Sequence, residues 1–461
     1  MKLQFEQDEL VNYLKNYGFI FNSSEIYGGL SNTWDYGPIG VLLKNNIKAI
    51  WWREFCTKNP EAYGLDSSIL MNRKVWEASG HVSNFSDPLI DCKNCHNRFR
   101  ADKLIEEFAP GVNVTEATPL KDLYDIIIEK QIKCPVCGKV EWTEPRKFNL
   151  MFKTNQGVVE DAATELYLRP ETAQGIFVDF MNIQRTTRAK LPFVVCQIGK
   201  AFRNEITPGN FIFRTREFEQ MEMEYFCYPQ QADAIFNQMV VKINNFLANV
   251  LTIDPQLIRQ VEHKKEELSH YSSRTIDFQF LFPHGWGELW GLANRTNYDL
   301  SQHQKHSGKD IYYLDPTTNE KLIPSVVEPS VGCDRLFYAV VASHYKKETI
   351  NDDVRELLAL PYDLVPYKIA VLPLVNKLNE EAKALYLKIL ELGISATFDT
   401  SGTIGRRYRR QDAIGTYYCI TVDFDSLKHK TITIRNRDTT IQDKIKIRDL
   451  IKYLNDNHSV F

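Results

Sequence analysis

The sequence predicts an α+β body built on an antiparallel sheet flanked by helices, interrupted by a small inserted module and followed by a C-terminal α/β domain. Three observations predict it. Strand-like alternation runs through "VVCQIGKAFRNE" and "FIFRTREFEQMEMEYF", joined by a loop containing "TPGN". Two CxxC pairs flank a segment, residue 91 to about 145, that has no long apolar run. After Leu360-Pro361, strand and helix patterns alternate to the end of the chain.

Residues 8–17 read as a helix. Gly37 to Phe55 reads as a clearer one, with Pro38 at its start and apolar residues at three- and four-residue spacing. A strand is expected at 68–70, helices at 232–250 and 255–269, and strands in "TIDFQFLF" and "ELWGLA". The last unit reads as strand 368–374, helix 377–391, strand 395–399, helix 406–413, and strands 417–423 and 430–435. The domain boundaries are 1–88 and 146–362 for the body, 89–145 for the insertion and 366–461 for the terminal domain. No GxGxxG follows a strand and no GxxxxGK[ST] occurs, so neither a dinucleotide fold nor a P-loop is signalled.

With 461 residues, 43% of them hydrophobic and 25% charged, the chain is of ordinary globular composition and long enough for several domains. Its N-terminus lacks an apolar signal core, and no run approaches the ~18 apolar residues that span a bilayer. The expectation is a cytoplasmic protein with no membrane partner. Cys56, Cys196, Cys227, Cys333 and Cys419 stand alone and read as small buried side chains. From Pro366 onward, 16 Lys and Arg face 11 Asp and Glu, a surplus of five; the total of −3 leaves −8 before it. An acidic body with a basic C-terminal module follows.

The stretch from Phe202 to Phe226 carries unusual charge for a strand pair. On its second arm Arg214, Arg216, Phe218, Gln220, Glu222 and Glu224 share one face. Cations suit phosphate, a ring suits a base and carboxylates suit an ammonium group. A solvated face with cross-strand ion pairs is the plain alternative. Segregation of the two signs is more than such pairing requires.

The "FRNE…FRTREF" pattern resembles motif 2 of class II aminoacyl-tRNA synthetases. "EPSVGCDRLF" is similar to their motif 3, with Arg335 as its arginine, and "DYGPIGVLLKNNIKAIWWREF" to motif 1, the dimer-interface helix. "YLRPETAQGIF" and "GELWGLANRTNYDL" narrow the resemblance to glycyl-tRNA synthetases of the homodimeric type, over nearly the whole chain. Ser330 and Asp334 stand where motif 3 of other class II members carries glycines.

The resemblance implies a reaction in two steps: glycine and ATP form glycyl-adenylate and pyrophosphate, then glycine passes to the 3' end of tRNA(Gly). The attacking carboxylate is already anionic, so no protein nucleophile is required. By resemblance the catalytic residues are Arg203, Arg335 and Glu288, and Glu288 holds Mg²⁺. Arg203 holds the α-phosphate and the glycine carboxylate, Glu205 accepts from the adenine amino group, and Phe218 and Arg335 sandwich the base. Arg214 and Arg216 lie toward the outer phosphates; Asn204, Phe213, Leu289 and Gly332 complete the ATP set. Glu171, Glu222 and Glu328 ring the ammonium, with Ser330, Arg295 and Arg100 lining the glycine pocket. Two of these assignments have plain alternatives: Glu171 as a helix N-terminal carboxylate, and Arg335 paired with Asp334.

Cys92, Cys95, Cys134 and Cys137 form a CxxC…CxxC set suited to one structural Zn²⁺ in a ribbon-like insertion. A ribbon that has lost its metal is the alternative. In the C-terminal unit, similar to the anticodon-binding domain of several class II synthetases, Arg406, Arg407, Arg409 and Arg410 crowd a helix start and are candidate tRNA contacts. A solvated helix face is the plain reading. Two further functions compete with the ligase: a non-catalytic, nucleic-acid-binding accessory subunit, and an enzyme that activates an amino acid without acylating tRNA. An accessory subunit has no use for Arg203, Glu205, Glu171, Arg295, Glu328 and Arg335 together.

Overall fold

The computed structural model describes residues 3–114, 118–158, 164–269, 271–350 and 353–458. A seven-stranded sheet forms the body. Its order is Ile258–Glu262, Arg274–Phe282, Gly285–Thr296, Ser325–Gly332, Glu217–Cys227, Phe193–Phe202 and Ala62–Gly64. All neighbours are antiparallel except the last, where Ala62–Gly64 runs parallel to Phe193–Phe202.

The two faces of this sheet are treated differently. On one, Met221 and Met223 join a single core with Leu43, Ile47 and Trp51 of the Pro38–Trp52 helix, Phe236 and Met239 of the Ala232–Asn245 helix, and Leu336 and Phe337 of the Cys333–His344 helix. The other face is covered at one end by the short helices Ala173–Val178 and Phe180–Thr187, through Phe177, Phe180, Phe193 and Phe226. The rest of it stays open as a cleft.

Two expected elements differ. Residues 255–269 form no α-helix: 3-10 turns at Pro255–Leu257 and Lys265–Glu267 flank the edge strand Ile258–Glu262, which pairs with Arg274–Phe282. The Lys/Glu/Gln composition favours helix only weakly, and an open sheet edge offers a full ladder of backbone bonds. Residues 68–70 form only the single bridge from Leu70 to Leu168. Just before it, the Ser67 carbonyl is taken by Arg169, and the Ser67 hydroxyl bonds Gln197.

The insertion has its own small sheet, ordered Arg98–Arg100, Ser86–Asp91, Arg146–Asn149, so its framework begins and ends slightly outside 89–145. Leu104 and Ile105 from one helix, Leu123 and Ile127 from another, and Trp142 fill its separate core. The C-terminal domain is a five-stranded sheet ordered Ala396–Phe398, Ile369–Pro373, Tyr418–Val422, Thr431–Asn436, Gln442–Lys446. The first three strands are parallel and the last two antiparallel. The expected alternation is present. The final strand, "QDKIK", escapes sequence reading because it is an exposed edge with little apolar signal. Among the described residues no helix is long and apolar enough to cross a membrane.

Candidate active site

A cleft of about 320 Å³ lies on the open face of the body sheet. It is lined by residues from Phe193–Phe202, Glu217–Cys227, Gly285–Thr296 and Ser325–Gly332 or the loops that follow them. Period-two alternation explains the lining. In the Glu217–Cys227 strand Met221, Met223, Tyr225 and Cys227 enter the helical core, so Phe218, Gln220 and Glu222 face the cleft.

One end of the cleft is cationic and aromatic. Arg203 follows the Phe193–Phe202 strand; its guanidinium donates to the Pro170 carbonyl at 3.0 Å and lies 5.3 Å from the Phe218 ring. Arg335, in the first turn of Cys333–His344, donates to the Phe213 carbonyl at 3.1 Å and to the Glu288 carboxylate at 3.1 Å. It also stacks over Phe213 at 4.3 Å. Asp334 is engaged elsewhere. It accepts from Lys44 at 2.8 Å, from Tyr36 at 2.5 Å and from the Glu219 backbone at 2.7 Å. The pairing of Arg335 with Asp334 is therefore excluded, and Asp334 ties the Pro38–Trp52 helix to the Glu217–Cys227 strand. Glu205, Arg214, Leu289 and Gly332 line the cleft as well.

Three sequence-derived residues are not brought to the cleft lining. The Arg216 guanidinium turns to the Glu205 carbonyl at 3.2 Å. Its assignment to the cleft face assumed a strand from Phe211, but Phe211–Phe213 is a 3-10 turn and the strand starts at Glu217. Asn204 is held through its backbone N–H by the Leu150 carbonyl. Arg100 does not line the cleft: it pairs with Asp87 at 2.9 Å and Asp102 at 2.6 Å, close enough to the cleft to feel the charge of Glu205.

The other end of the cleft is acidic. Glu171, Glu222, Glu328 and Ser330 line it, with Arg295 beside them. Arg295 is almost fully buried and already shared: it donates twice to Asp299, at 2.8 and 2.9 Å, and to Glu328 at 2.7 Å. Glu171 contacts His81 Nε2 at 3.3 Å and accepts from Gln174 at 2.9 Å. Burial opposes the Glu171 charge, but His81 and Arg295 outweigh it and hold this carboxyl well below the usual range. This network, more than the helix it precedes, accounts for Glu171. Glu222 behaves oppositely. Burial, then the charges of Glu328 and Glu171, push it up to about 8 against the hydrogen bonds from Thr172 and Ser330. A site so arranged holds excess negative charge that a buried cation would relieve.

Sequence reasoning missed His81, Asp277, His263, Gln174 and Thr172. His81 lies in "ASGHVSNF", which carries no pattern. Asp277 was findable: it is a lone carboxylate on the alternate face of "TIDFQFLF", and burial and the charge of Glu288 both raise it.

The four insertion cysteines converge. Cys92 and Cys137 sulfurs are 3.5 Å apart, Cys95 and Cys134 3.6 Å, and all four lie within 4.8 Å of one another. One tetrahedral ion with ~2.3 Å metal–sulfur bonds needs sulfur separations of roughly 3.8 Å, so the donor set fits. In the C-terminal domain the basic helix is Ile404–Ala413. Arg407 is not a surface contact. It is buried, donating to the Pro373 and Gly402 carbonyls at 2.6 and 3.2 Å. Its helical position turns it toward the Ile369–Pro373 sheet. Arg410 pairs with Asp399 at 2.6 Å; Arg406 is exposed and Arg409 half-buried.

Residues 368–457 match the family model of an anticodon binding domain. That domain, beside a body built on a mixed sheet with a charged cleft, fits an aminoacyl-tRNA synthetase. Residues 111–150 match glycyl-tRNA synthetase insertion domain 1. The chain is 57% identical to the glycine–tRNA ligase of Ureaplasma urealyticum serovar 10 over 99% of its own length and 97% of that relative. It is 55% identical to that of Mycoplasmoides gallisepticum, over 99% of both chains. For that of Caldanaerobacter subterraneus subsp. tengcongensis the identity is 54%, over 98% of this chain and 99% of the relative. The chain belongs to the glycine–tRNA ligase family. It is an ATP-dependent enzyme that joins glycine to tRNA.

Proposed function

We propose that the cleft performs glycine activation as a class II site, with ATP at its cationic end and glycine at its acidic end. The observation that carries this is that one cleft holds Arg203, Phe218 and Arg335 together with a cluster of Glu171, Glu222 and Glu328 whose charges act on one another. A glycine carboxylate oxygen attacks the α-phosphorus, forming the mixed anhydride as the bond to pyrophosphate breaks. Arg203 neutralises charge at the α-phosphate, while Phe218 and Arg335 hold the adenine and Glu205 accepts from its amino group. In the second step the tRNA 3'-hydroxyl attacks the activated carbonyl and AMP leaves. Glu171, Glu222 and Glu328 grip the ammonium; any Cα substituent larger than hydrogen is excluded by the packed walls.

Glu288, with Asp277 nearby, suits Mg²⁺, which would offset phosphate charge. The four cysteines suit a structural Zn²⁺. Ile26 (88% exposed), Tyr27 (86%) and Leu30 (62%) are exposed apolar side chains in the turn before the Trp34–Tyr36 strand and the Pro38–Trp52 helix, which supports a homodimer through that region. Arg406, Arg409 and Arg410 suit tRNA(Gly) phosphates, in a cytoplasmic enzyme. Glycine-dependent ATP–pyrophosphate exchange tests the site. Glu222→Gln is expected to weaken glycine use far more than ATP use; equal losses in both would refute the ammonium role.

A further inference from the structure

Glu224 is the one carboxylate of the acidic cluster that the reaction leaves without a task. It is fully buried, and neither of its oxygens receives a hydrogen bond from any described donor. It lies two residues from Glu222 on the same strand face. The register that pairs Glu222 with Ser330 and Tyr225 with Val327 sets Glu224 directly opposite Glu328. One oxygen from each of Glu222, Glu224 and Glu328 lies within 4.8 Å of the others. The facing charged groups are Glu222, Glu328 and Arg295, and Arg295 is already committed to Asp299 and Glu328. Glu224 itself does not line the cleft.

Three carboxylates this close, with one shared cation, cannot all be ionised in a dry interior. We infer that Glu224 is a positioning residue for glycine: as a neutral acid it donates a hydrogen bond to Glu328, leaving Glu328 ionised and oriented toward the substrate ammonium. Burial, then the charges of Glu328 and Glu222, push Glu224 well above the ordinary carboxyl range, in keeping with this role. Burial raises Glu328 despite the opposing charge of Arg295, and a hydrogen bond donated by Glu224 would favour its ionised form. The proton stays in place through turnover; no bond to substrate forms or breaks at Glu224. The arrangement resembles a buried acid kept neutral so that it can donate.

This inference rests on the reading of the acidic end as the glycine site, and the experiment separates the two. Glu224→Gln keeps a donor and removes the titration; Glu224→Ala removes the donor. In glycine-dependent exchange, Glu224→Gln is expected to keep the KM for glycine within about threefold. Glu224→Ala is expected to raise it roughly tenfold or more, the loss of one hydrogen bond to a charged group, with the KM for ATP unchanged. Infrared spectra of the glycine-saturated protein at neutral pH should show a protonated-carboxyl band that Glu224→Gln abolishes, a readout that packing alone does not move. Equal damage from both variants, or no such band, overturns the inference. So does Glu224→Ala with an unchanged KM for glycine, while Glu222→Gln impairs glycine use. If Glu222→Gln is itself harmless, the glycine-site reading falls first.

Discussion

Glycine binding should become tighter as pH rises toward and past 8. Burial and the charges of Glu328 and Glu171 push the Glu222 carboxyl up to about 8. A substrate ammonium favours its ionised form, so binding expels that proton. The apparent dissociation constant then carries the factor 1 + 10^(pKa − pH), which is about 2 at pH 8 and about 100 at pH 6. The KM for glycine should fall roughly 50-fold between those two values, while the KM for ATP changes little. Exchange assays at several pH values give both constants. Calorimetry in buffers of different ionisation enthalpy should show close to one proton released below pH 7. Glu222→Gln should flatten the profile. A glycine KM independent of pH from 6 to 8 would refute the reasoning. The same group has a stability signature. Its folded pKa lies above its unfolded value, so its contribution is present at acid pH and is lost as pH rises toward about 8. The glycine-free wild type should therefore lose thermal stability over that window more steeply than Glu222→Gln does.

Lys44→Met leaves Asp334 buried without its cation, and it should cost about 3–5 kcal/mol in denaturant unfolding, with a fall in exchange activity as the cleft strands shift. Cys92→Ser, or a strong chelator, should release one zinc per chain by elemental analysis and lower the melting temperature of the insertion. Arg406→Ala should raise the KM for tRNA and reduce its salt dependence while exchange is unchanged. Arg407→Ala should instead lower the melting temperature, because it strands buried carbonyls of Pro373 and Gly402.

Most of the architecture was legible because period and punctuation are local. Pro38 and the spacing behind it announce the helix Pro38–Trp52, and the alternation of the second arm puts Phe218 and Glu222 on one face, the face that lines the cleft. The misread helix at 255–269 fails for the opposite reason: its fate depends on the free edge of the Arg274–Phe282 strand further along the chain. Arg216 fails because alternation was extended backward across a turn that "TPGN" marks only in part. Arg407 and Arg410 look alike in a run of arginines, yet one enters the sheet and the other meets Asp399.

By itself the sequence determined the residue types of the cleft, their order along the strands and the family they belong to, since side-chain chemistry and period are properties of the chain alone. Only the tertiary structure decided which charges meet. His81 reaches Glu171, Lys44 reaches Asp334, and Glu224 is sealed against Glu328 without a cation of its own. Those pairings join residues tens to hundreds of positions apart for His81 and Lys44 and across the strand ladder for Glu224. Burial there sets the protonation of each group, which no local pattern encodes.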